Sequence, residues 1–571
     1  MNPIIKAQLN TFKEMNPNEV MSESDLFEVM SIFSLENGIL GENIDPFRAH
    51  LKGVEFGIDG IAISIQGTLC TDVDEAAEVL SVGRNHTSEF TFFQSKTSDS
   101  LDYGNISKFL DAVYDFFTSQ TLVKGPQVDE LIAVKDEIYG KAAKTSPSLR
   151  CYYCTTGSGQ ASAVIQQLIE TNKNRLSELN IFNDIHIECV GAKVIQNGFR
   201  SATNSSSAKL SFPKAITMPS HDKVDEAYIG YVSASEVLNI ALGEPDQQGV
   251  AHVNRSLFYD NVRDFNPESE INKSIISDLK NGDEASFVFK NNGITVVSKN
   301  IDRKGDIFTI EDYQIVNGCQ TTNILAHIRD KAESISVPLR LIGCGDADFV
   351  SSVIIGTNRQ NEVKEDQFWA LRPFMKDLEE YCASQSGDAR MFIERRDNQY
   401  RDVSIERTRI LRPSDLMKAA AAMFFYQPHR AARDHRGIRK EFSGRIFSEN
   451  HNVELYHLAA LALYKFDYLV RTAKVDRSRV IFRFYALYAL VKQHWETPDI
   501  LDTAPKKQKK VKDAVISVLN DNDRFSAQIE EVSSHLDSIM SESGITARES
   551  IRDYIRAESV VDEFTRRMFS Q

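Results

Sequence analysis

The chain has 571 residues, of which 42% are hydrophobic and 26% charged, an ordinary composition for a globular protein of two to four domains. Acidic residues outnumber basic ones by 81 to 66, and the formal net charge of −15 excludes a chain-wide positive field for nucleic acid. No stretch approaches the roughly 18 consecutive apolar residues of a membrane-spanning helix, and the scattered cysteines predict reduced thiols, so we expect a cytoplasmic protein with no membrane partner.

The first predicted domain comprises residues 1–125 and shows helix, strand, strand and helix patterns in that order. SESDLFEVMSIFSLE has a serine at its start and apolar residues in helical spacing, with Glu28 among them. GVEFGIDGIAISIQGTLC and EFTFFQSK are β-rich, and ISKFLDAVYDFFTS has the spacing of an amphipathic helix. This order predicts an α/β unit with a mixed sheet.

Two further domains are predicted. In residues 126–370, strand patterns such as ITVVSKNI and FTIEDYQIVNG alternate with helical ones and predict a second α/β domain. In residues 371–571 the strand patterns fade, and helix-like segments such as VELYHLAALALYKFDYLVRTA follow. The predicted fold class is α/β with a helical C-terminal domain.

Four polar residues of the first domain are candidates for phosphodiester chemistry. Asp59 begins a predicted strand, and Gln94 and Lys96 end the next one, about one sheet-width away if the two strands pair. Hydrolysis of a phosphodiester needs an acidic ligand for a divalent cation and a cation that orients or deprotonates water, and Asp59 and Lys96 supply both. Glu28 is a further candidate acidic ligand, with Glu36 as its alternative. The competing interpretation is that Asp59 and Lys96 are solvated residues at the ends of strands.

The order of these residues resembles the restriction-endonuclease-like fold in its Mrr-type variant, in which glutamine replaces the usual acid before the lysine. The resemblance implies that Asp59 and Glu28 bind Mg²⁺, or Mn²⁺ in its place, and that Lys96 positions the attacking water. It also implies that Gln94 occupies the second ligand position, where a neutral amide is a weaker ligand than a carboxylate.

Four stretches farther along resemble the central signature of the AIPR family, which is named for abortive infection and phage resistance. They are NNGITVVS from Asn291, YQIVNGCQTTNIL from Tyr313, IIGTNRQNEVKEDQFWAL from Ile354 and MFIERRDNQYRD from Met391. The resemblance covers much of residues 200–410 and implies a role in bacterial defence against phage through attack on nucleic acid.

The signature also predicts a phosphate-binding turn. Asn-Gly at 292–293 suits a turn with positive φ, and IVNG followed by CQTTNIL predicts a strand that leads into a helix start, where backbone amides bind phosphate. This pattern is also similar to ParB-like domains. The alternative is a structural polar network that fixes the turns. The candidate ligands are Asn292, Gly293, Asn317, Gly318, Gln320, Thr321, Thr322, Asn358, Arg359 and Gln360.

Three other local patterns concern charge and cysteine. Arg395, Arg396 and Arg401 are a candidate phosphate clamp. The alternative is surface ion pairing to Glu394, Asp397 and Asp402. CYYC at 151–154 has metal-ligand spacing, but no second pair follows, so a buried strand is expected there. The basic stretch PHRAARDHRGIRKEFSGR from Pro428 is the preferred nucleic-acid contact, with PKKQKKVK from Pro505 next. In the stretch from Pro428, the residues expected to contact nucleic acid are Arg430, Arg433, Arg436, Arg439 and Lys440.

Two functions follow from these patterns. The first is a Mg²⁺-dependent nuclease of phage defence, acting on DNA rather than RNA, with a nucleotide or phage-derived trigger as a further partner. A homodimer is expected because one such site cuts only one strand. The second is a non-catalytic sensor that holds nucleic acid or a nucleotide on a decayed nuclease fold. Gln94 favours the second, because it leaves the metal one carboxylate short.

Overall fold

The structure is a computed structural model, and its described part comprises most of the chain. The described residues are 2–40, 44–52, 56–81, 86–141, 146–203, 206–243, 284–357, 372–395, 399–400, 405–431, 445–545 and 548–569, with shorter stretches at 251, 253–254, 257–258, 275–277, 279–282, 438 and 441–442. They form two mixed sheets followed by a helical region.

The first sheet and its helices occupy the chain up to residue 203. In chain order the elements are α1 (Pro3–Met15), α2 (Glu23–Phe33), α3 (Pro46–Ala49), β1 (Gly60–Ile65), β2 (Thr68–Leu69), α4 (Val73–Leu80), β3 (Ser88–Lys96), α5 (Tyr103–Phe117), α6 (Pro126–Lys141), β4 (Ser148–Thr155), α7 (Ala163–Ser177), β5 (Asp184–Val190) and α8 (Ala192–Thr203). The strand order is β2-β1-β3-β4-β5, with β1 antiparallel to both neighbours and β3, β4 and β5 parallel.

The first sheet extends past the predicted domain boundary at residue 125. Parallel neighbours cannot be joined by a tight hairpin, so each pair needs a helical crossover. Helices α5 and α6 connect β3 to β4, and α7 connects β4 to β5. The sheet therefore takes its last two strands from sequence that we assigned to the second domain.

Alternation along the strands separates the two faces of this sheet. Ile61, Ile63 and Phe92 pack beneath α5, α6 and α7 on one side. Ala62 and Phe93 face the other side, where α1, α2 and α8 cover them. Both faces are thus buried, which explains the continuous apolar character of the strands. The CYYC stretch lies on β4 with both cysteines fully buried, so the buried strand expected there is confirmed.

Helix α2 continues as a π-helical segment, Ser34–Leu40, which crosses α8 at backbone contact. A Cβ on Gly38 would lie 1.9 Å from the carbonyl oxygen of Gly198, and a Cβ on Gly198 would lie 2.2 Å from that of Ser34. No side chain fits at such distances. The two glycines therefore determine how closely α2 and α8 cover this face of the sheet.

Gly198→Ala is expected to lower the free energy of unfolding by about 1–3 kcal/mol, because the added methyl group forces two packed backbones apart. The matched control is Gly140→Ala in α6, where a Cβ meets nothing within 4 Å. That change should be neutral or stabilising by up to about 1 kcal/mol, since alanine restricts the unfolded chain. Chemical denaturation followed by circular dichroism measures both. Equal losses in the two variants would contradict the close crossing.

The second sheet lies between residues 207 and 343. Its elements, and the helix that follows, are β6 (Ser207–Ser211), β7 (Ile216–Thr217), β8 (Glu226–Ser233), α9 (Ala234–Ala241), α10 (Phe287–Lys290), β9 (Ile294–Lys304), β10 (Ile307–Asn317), α11 (Cys319–His327), β11 (Ser336–Gly343) and α12 (Ala347–Thr357). The strand order is β6-β10-β9-β11-β8-β7. Only β9 and β11 are parallel neighbours among these strands, and a core beneath α9 and α11 fills one face.

The rest of the described chain is mainly helical. It contains α13 (Pro373–Ser384), β12 (Phe392–Ile393), β13 (Ile410–Leu411), α14 (Pro413–Phe424), α15 (Pro428–Ala431), α16 (Val453–Arg471), α17 (Arg483–Lys492), α18 (Pro505–Leu519), α19 (Asn522–Glu542), α20 (Arg548–Tyr554) and α21 (Glu558–Phe569). These helices share one large apolar core. The predicted fold class, α/β with mixed sheets and a helical C-terminal region, is confirmed. Within the described residues, we find no helix with the length and apolar character needed to span a bilayer.

Charged pairs join the helical region to the first sheet and its helices. Arg471 donates to Glu19 at 2.9 Å, and the Glu19 side chain is only 3% exposed. Lys418 and Glu78 pair at 2.5 Å, and Arg552 and Glu130 also pair at 2.5 Å. In each pair the cation comes from the helical region and the acid from the first sheet and its helices. The two regions therefore pack against each other through complementary charge.

Candidate active site

The candidate site lies where β1 begins and β3 ends. The two strands pair so that Gly60 is opposite Phe93, and the amide of Asp59 donates to the carbonyl of Phe93 at 2.8 Å. The two strands do pair, so Asp59 lies across from Gln94. A Cβ on Gly60 would lie 2.6 Å from Cδ1 of Ile32, so the glycine lets α2 pack close to the start of β1.

The Asp59 carboxylate is held from one side. Its Oδ2 accepts hydrogen bonds from Nε2 of Gln94 and from the backbone amide of Ser95, both at 2.7 Å. Its Oδ1 accepts none from the residues that the structure describes. The Gln94 side chain is buried and presents its nitrogen to Asp59, so in this arrangement it orients the carboxylate, whereas the resemblance implied a metal ligand. One oxygen of Asp59 thus has no hydrogen-bond donor among the described residues.

The surroundings of Asp59 disfavour its charged form. Burial and, after it, the nearby carboxylate of Glu28 raise the pKa of Asp59 to about 6. The amide of Ser95 and the positive charge of Lys96 act in the opposite direction but do not cancel the rise. A bound cation would stabilise the charged form of Asp59 that these surroundings disfavour.

Lys96 is the last residue of β3 and is half-buried. Among the described residues, its ammonium group forms no hydrogen bond and no ion pair, although its charge acts on Asp59. Alternation places its side chain on the same face as Gln94. Lys96 is therefore within electrostatic range of Asp59, and no acidic side chain among the described residues forms an ion pair with it.

Glu28 lies on α2, where its charge acts on Asp59, and it is paired with a histidine that the sequence did not single out. Oε2 of Glu28 lies 2.8 Å from Nε2 of His50, whose side chain is 3% exposed. The amide of Leu51, the next residue, donates to the carbonyl of Asp59 at 2.9 Å. Glu36, the alternative ligand, lies in the π-helical segment and is buried. A lone histidine after a short helix carries no motif, so no signal in the sequence pointed to His50.

The residues present fit a magnesium ion. Mg²⁺ is usually bound by one or two carboxylates, with water and substrate phosphates completing its octahedron, rather than by a full protein cage. The described part of the chain contains no group of three His, Cys, Asp or Glu side chains able to hold a metal ion. Asp59, whose Oδ1 accepts no hydrogen bond from the described residues, and Glu28, whose charge acts on Asp59, are the acids that a site with few protein ligands would use. These two residues would hold the ion.

The turns of the AIPR signature meet in the second sheet. Asn291 and Thr321 are joined side chain to side chain at 3.0 Å, and the amide of Gly293 donates to Oδ1 of Asn291 at 2.7 Å. Gly318, with φ of +111°, lies at the start of α11, next to Ile294. The structure therefore brings the Asn-Gly turn and the IVNG turn together, and Asn291, which we had not selected, links them.

The polar groups of these turns divide into two sets. The hydroxyl of Thr322 donates to the carbonyl of Gly318 at 3.0 Å, and Thr321 is engaged with Asn291. These bonds match the structural network considered as the alternative. Asn292 and Gln320 are exposed, and Asn317 is half-buried after a bulge in β10. The predicted ligands Asn358, Arg359 and Gln360 lie outside the described residues.

Arg395 has acidic partners within the protein. Its side chain is 3% exposed and donates to Glu379 at 2.5 Å and to Asp348 at 3.4 Å. It lines a cavity of about 470 Å³ to which Asp346 and Glu380 also contribute. In the structure Arg395 is ion-paired, which was the alternative to a phosphate clamp. Its partners lie on α12 and α13. Arg396 and Arg401 lie outside the described residues.

The predicted nucleic-acid contact is described only in part. Arg430 lies on α15 and pairs with Glu441. Arg433, Arg436, Arg439 and Lys440 lie outside the described residues. The second basic stretch forms the first turns of α18, where the exposed lysines are Lys506, Lys507, Lys509 and Lys510.

The fold defines an α/β protein in which Asp59 and Gln94 are hydrogen-bonded at the end of a mixed sheet, ahead of a second sheet and a helical region. A family model described as AIPR protein matches residues 258–557, more than half of the chain. The chain therefore belongs to the AIPR family, and membership implies a role in phage defence or abortive infection. The match begins after the first sheet. Comparison with curated proteins found no match, and neither did comparison with solved structures.

Proposed function

We propose that this protein is a Mg²⁺-dependent nuclease of phage defence that hydrolyses phosphodiester bonds in DNA. The observation that carries the proposal is the pairing of β1 with β3, which places Asp59 across from Gln94 and near the strand end that carries Lys96. The charges of Glu28 and Lys96 both act on Asp59, which supports the assignment of all three to one site. An acidic ligand pair beside a lysine is the set of groups that phosphodiester hydrolysis needs. The proposal also rests on the resemblance of this order of residues to Mrr-type restriction enzymes.

Each side chain has a distinct task in this proposal. A bound Mg²⁺ would supply Lewis-acid stabilisation of the charge that develops on the phosphate. Gln94 and the amide of Ser95 keep Asp59 in one orientation, with Oδ1 open. Lys96, which no described acid neutralises through an ion pair, holds the attacking water and offsets negative charge on the phosphate.

The partner in this proposal is nucleic acid, with DNA favoured over RNA. The chain is acidic overall, so contact depends on local basic surfaces. In the first turns of α18 several exposed lysines lie at the positive end of the helix dipole, an arrangement that an anionic partner would stabilise. We further propose a homodimer, since one site of this type cuts one strand.

A non-catalytic sensor is the second candidate, and one observation favours it. Gln94 is a neutral amide whose nitrogen faces Asp59, so the position that holds an acid in related nucleases supplies no negative charge here. A site with weaker metal affinity would bind nucleic acid without cutting it. The two candidate functions differ in whether nucleic-acid binding requires a metal ion and in whether the nucleic acid is cleaved.

One experiment separates the two candidates. Purified protein is incubated with plasmid DNA, phage genomic DNA and single-stranded RNA, each with Mg²⁺, with Mn²⁺ or with EDTA. The nuclease cuts DNA with metal and not with EDTA, and calorimetry shows a Mn²⁺ site that Asp59→Ala removes. Binding of nucleic acid that is indifferent to metal, with no cleavage, would support the sensor.

A further inference from the structure

The pair formed by Glu28 and His50 has a role that the nuclease proposal does not assign. We propose that His50 is a positioning residue, which holds the Glu28 carboxylate beside Asp59 by a hydrogen bond from its ring. The inference rests on the proposed function, because it concerns the second acid of the same site. His50 itself contacts neither substrate nor metal in this proposal.

The geometry of the pair is that of a fixed contact. Nε2 of His50 and Oε2 of Glu28 are 2.8 Å apart, and their side chains are 3% and 15% exposed. A hydrogen bond removed from water in this way is stronger than an exposed one. His50 bridges Gly60, the residue after Asp59, and the charge of Glu28 acts on Asp59, so the carboxylate that His50 holds is within electrostatic range of the site.

The backbone around His50 is anchored to the strand that carries the site. His50 forms an antiparallel bridge with Gly60, the first residue of β1. From the other side, Nε2 of Gln127 on α6 donates to the carbonyl of His50 at 2.9 Å. The backbone of His50 is therefore held relative to Asp59 by β1 on one side and by α6 on the other.

A long side chain such as glutamate samples several rotamers, and ordering it costs free energy when the cation arrives. A donor that already holds the carboxylate in place removes much of that cost. Hydrogen-bond partners of metal ligands typically change metal affinity by about 10–100-fold when they are mutated. That range sets the effect expected for His50.

The chain offers a matched control in the same sheet. His186 and Glu188 on β5 form the same kind of pair at 3.0 Å, but their side chains are 43% and 40% exposed. The pair lies two strands away from β3. A change at His186 alters an imidazole–carboxylate contact of the first sheet without touching the Glu28 carboxylate.

The test measures Mn²⁺ binding to the full chain by calorimetry and by electron paramagnetic resonance. His50→Leu should weaken the affinity about 10–100-fold. His50→Gln, which keeps an N–H donor, should recover most of the loss, and His186→Leu should bind as the parent does. In a Glu28→Gln background, His50→Leu should cause no further loss, since the group that it positions is gone. If His50→Leu does not fold, His50→Asn, whose amide is shorter, takes its place.

The outcomes distinguish this inference from the proposed function. If His50→Leu binds Mn²⁺ as tightly as the parent while Glu28→Gln and Asp59→Ala bind weakly, the positioning role is wrong and the metal site stands. Equal losses in His50→Leu and His186→Leu, or additive losses with Glu28→Gln, also overturn the positioning role. If the parent binds no Mn²⁺, or Asp59→Ala leaves binding unchanged, the nuclease proposal fails and the inference fails with it.

Discussion

Asp59→Ala and Lys96→Ala are each expected to reduce metal-dependent DNA cleavage by about 100-fold or more. Asp59 loses the open oxygen proposed to bind the cation, and Lys96 is the charge proposed to hold the attacking water. The measurement is the initial rate of plasmid nicking at saturating Mg²⁺. Asp59→Ala should also abolish Mn²⁺ binding, whereas Lys96→Ala should retain it, because the two residues have different tasks.

Two exposed residues of the same region serve as matched controls. Asp184 begins β5, and Lys193 lies on α8, and both side chains are exposed. Asp184→Ala and Lys193→Ala should cleave as the parent does. If Asp59→Ala and Lys96→Ala cut at the parent's rate, the site is assigned wrongly. If cleavage falls equally in all four variants, the loss reflects surface charge rather than a catalytic centre.

Arg409→Met should produce the largest loss of stability, about 3–5 kcal/mol in the free energy of unfolding. Arg409 donates to Glu406 at 2.7 Å, and both side chains are 6% exposed. Glu406 also accepts a hydrogen bond from Asn18 of the first region at 2.9 Å. Without the guanidinium, the carboxylate stays buried with no paired cation. Chemical denaturation followed by circular dichroism gives the difference.

The control for this change is Arg566→Met in α21. Arg566 pairs with Glu563, and its side chain is 68% exposed, so its loss should cost no more than about 1 kcal/mol. The double variant Arg409→Met/Glu406→Gln should recover part of the stability, because it removes the unpaired charge. A loss in Arg409→Met as small as in Arg566→Met would contradict the assignment of a buried pair.

Acidification provides a second readout of the same pair. Burial alone would raise the pKa of Glu406, but the hydrogen bond and charge of Arg409 outweigh it and hold the pKa below its ordinary value of 4.5. Because the folded pKa is lowered, the carboxylate stabilises the fold above pH 4.5, and this contribution is lost as the pH falls through the folded pKa. The difference in stability between the parent and Arg409→Met should therefore shrink in acid.

Some features of the candidate site were predicted from the sequence pattern, and others were not. Alternation in EFTFFQSK and FGIDGIAISI predicted two strands, and their pairing puts Asp59 across from Gln94 as expected. The pattern did not show that the amide nitrogen of Gln94 would face Asp59, because the direction of a side chain depends on its packed neighbours. It did not show His50, whose partner is 22 residues away.

The sequence by itself determined the strand and helix periodicities, the α/β class and the motifs by which the chain belongs to the AIPR family. These are properties of neighbouring residues, and local spacing is enough to express them. Only the tertiary structure decided that the first sheet takes β4 and β5 from beyond residue 125, that Asn291 links two turns and that Arg395 is enclosed by acids. Those features depend on register and packing between segments far apart in the chain, which no local pattern encodes.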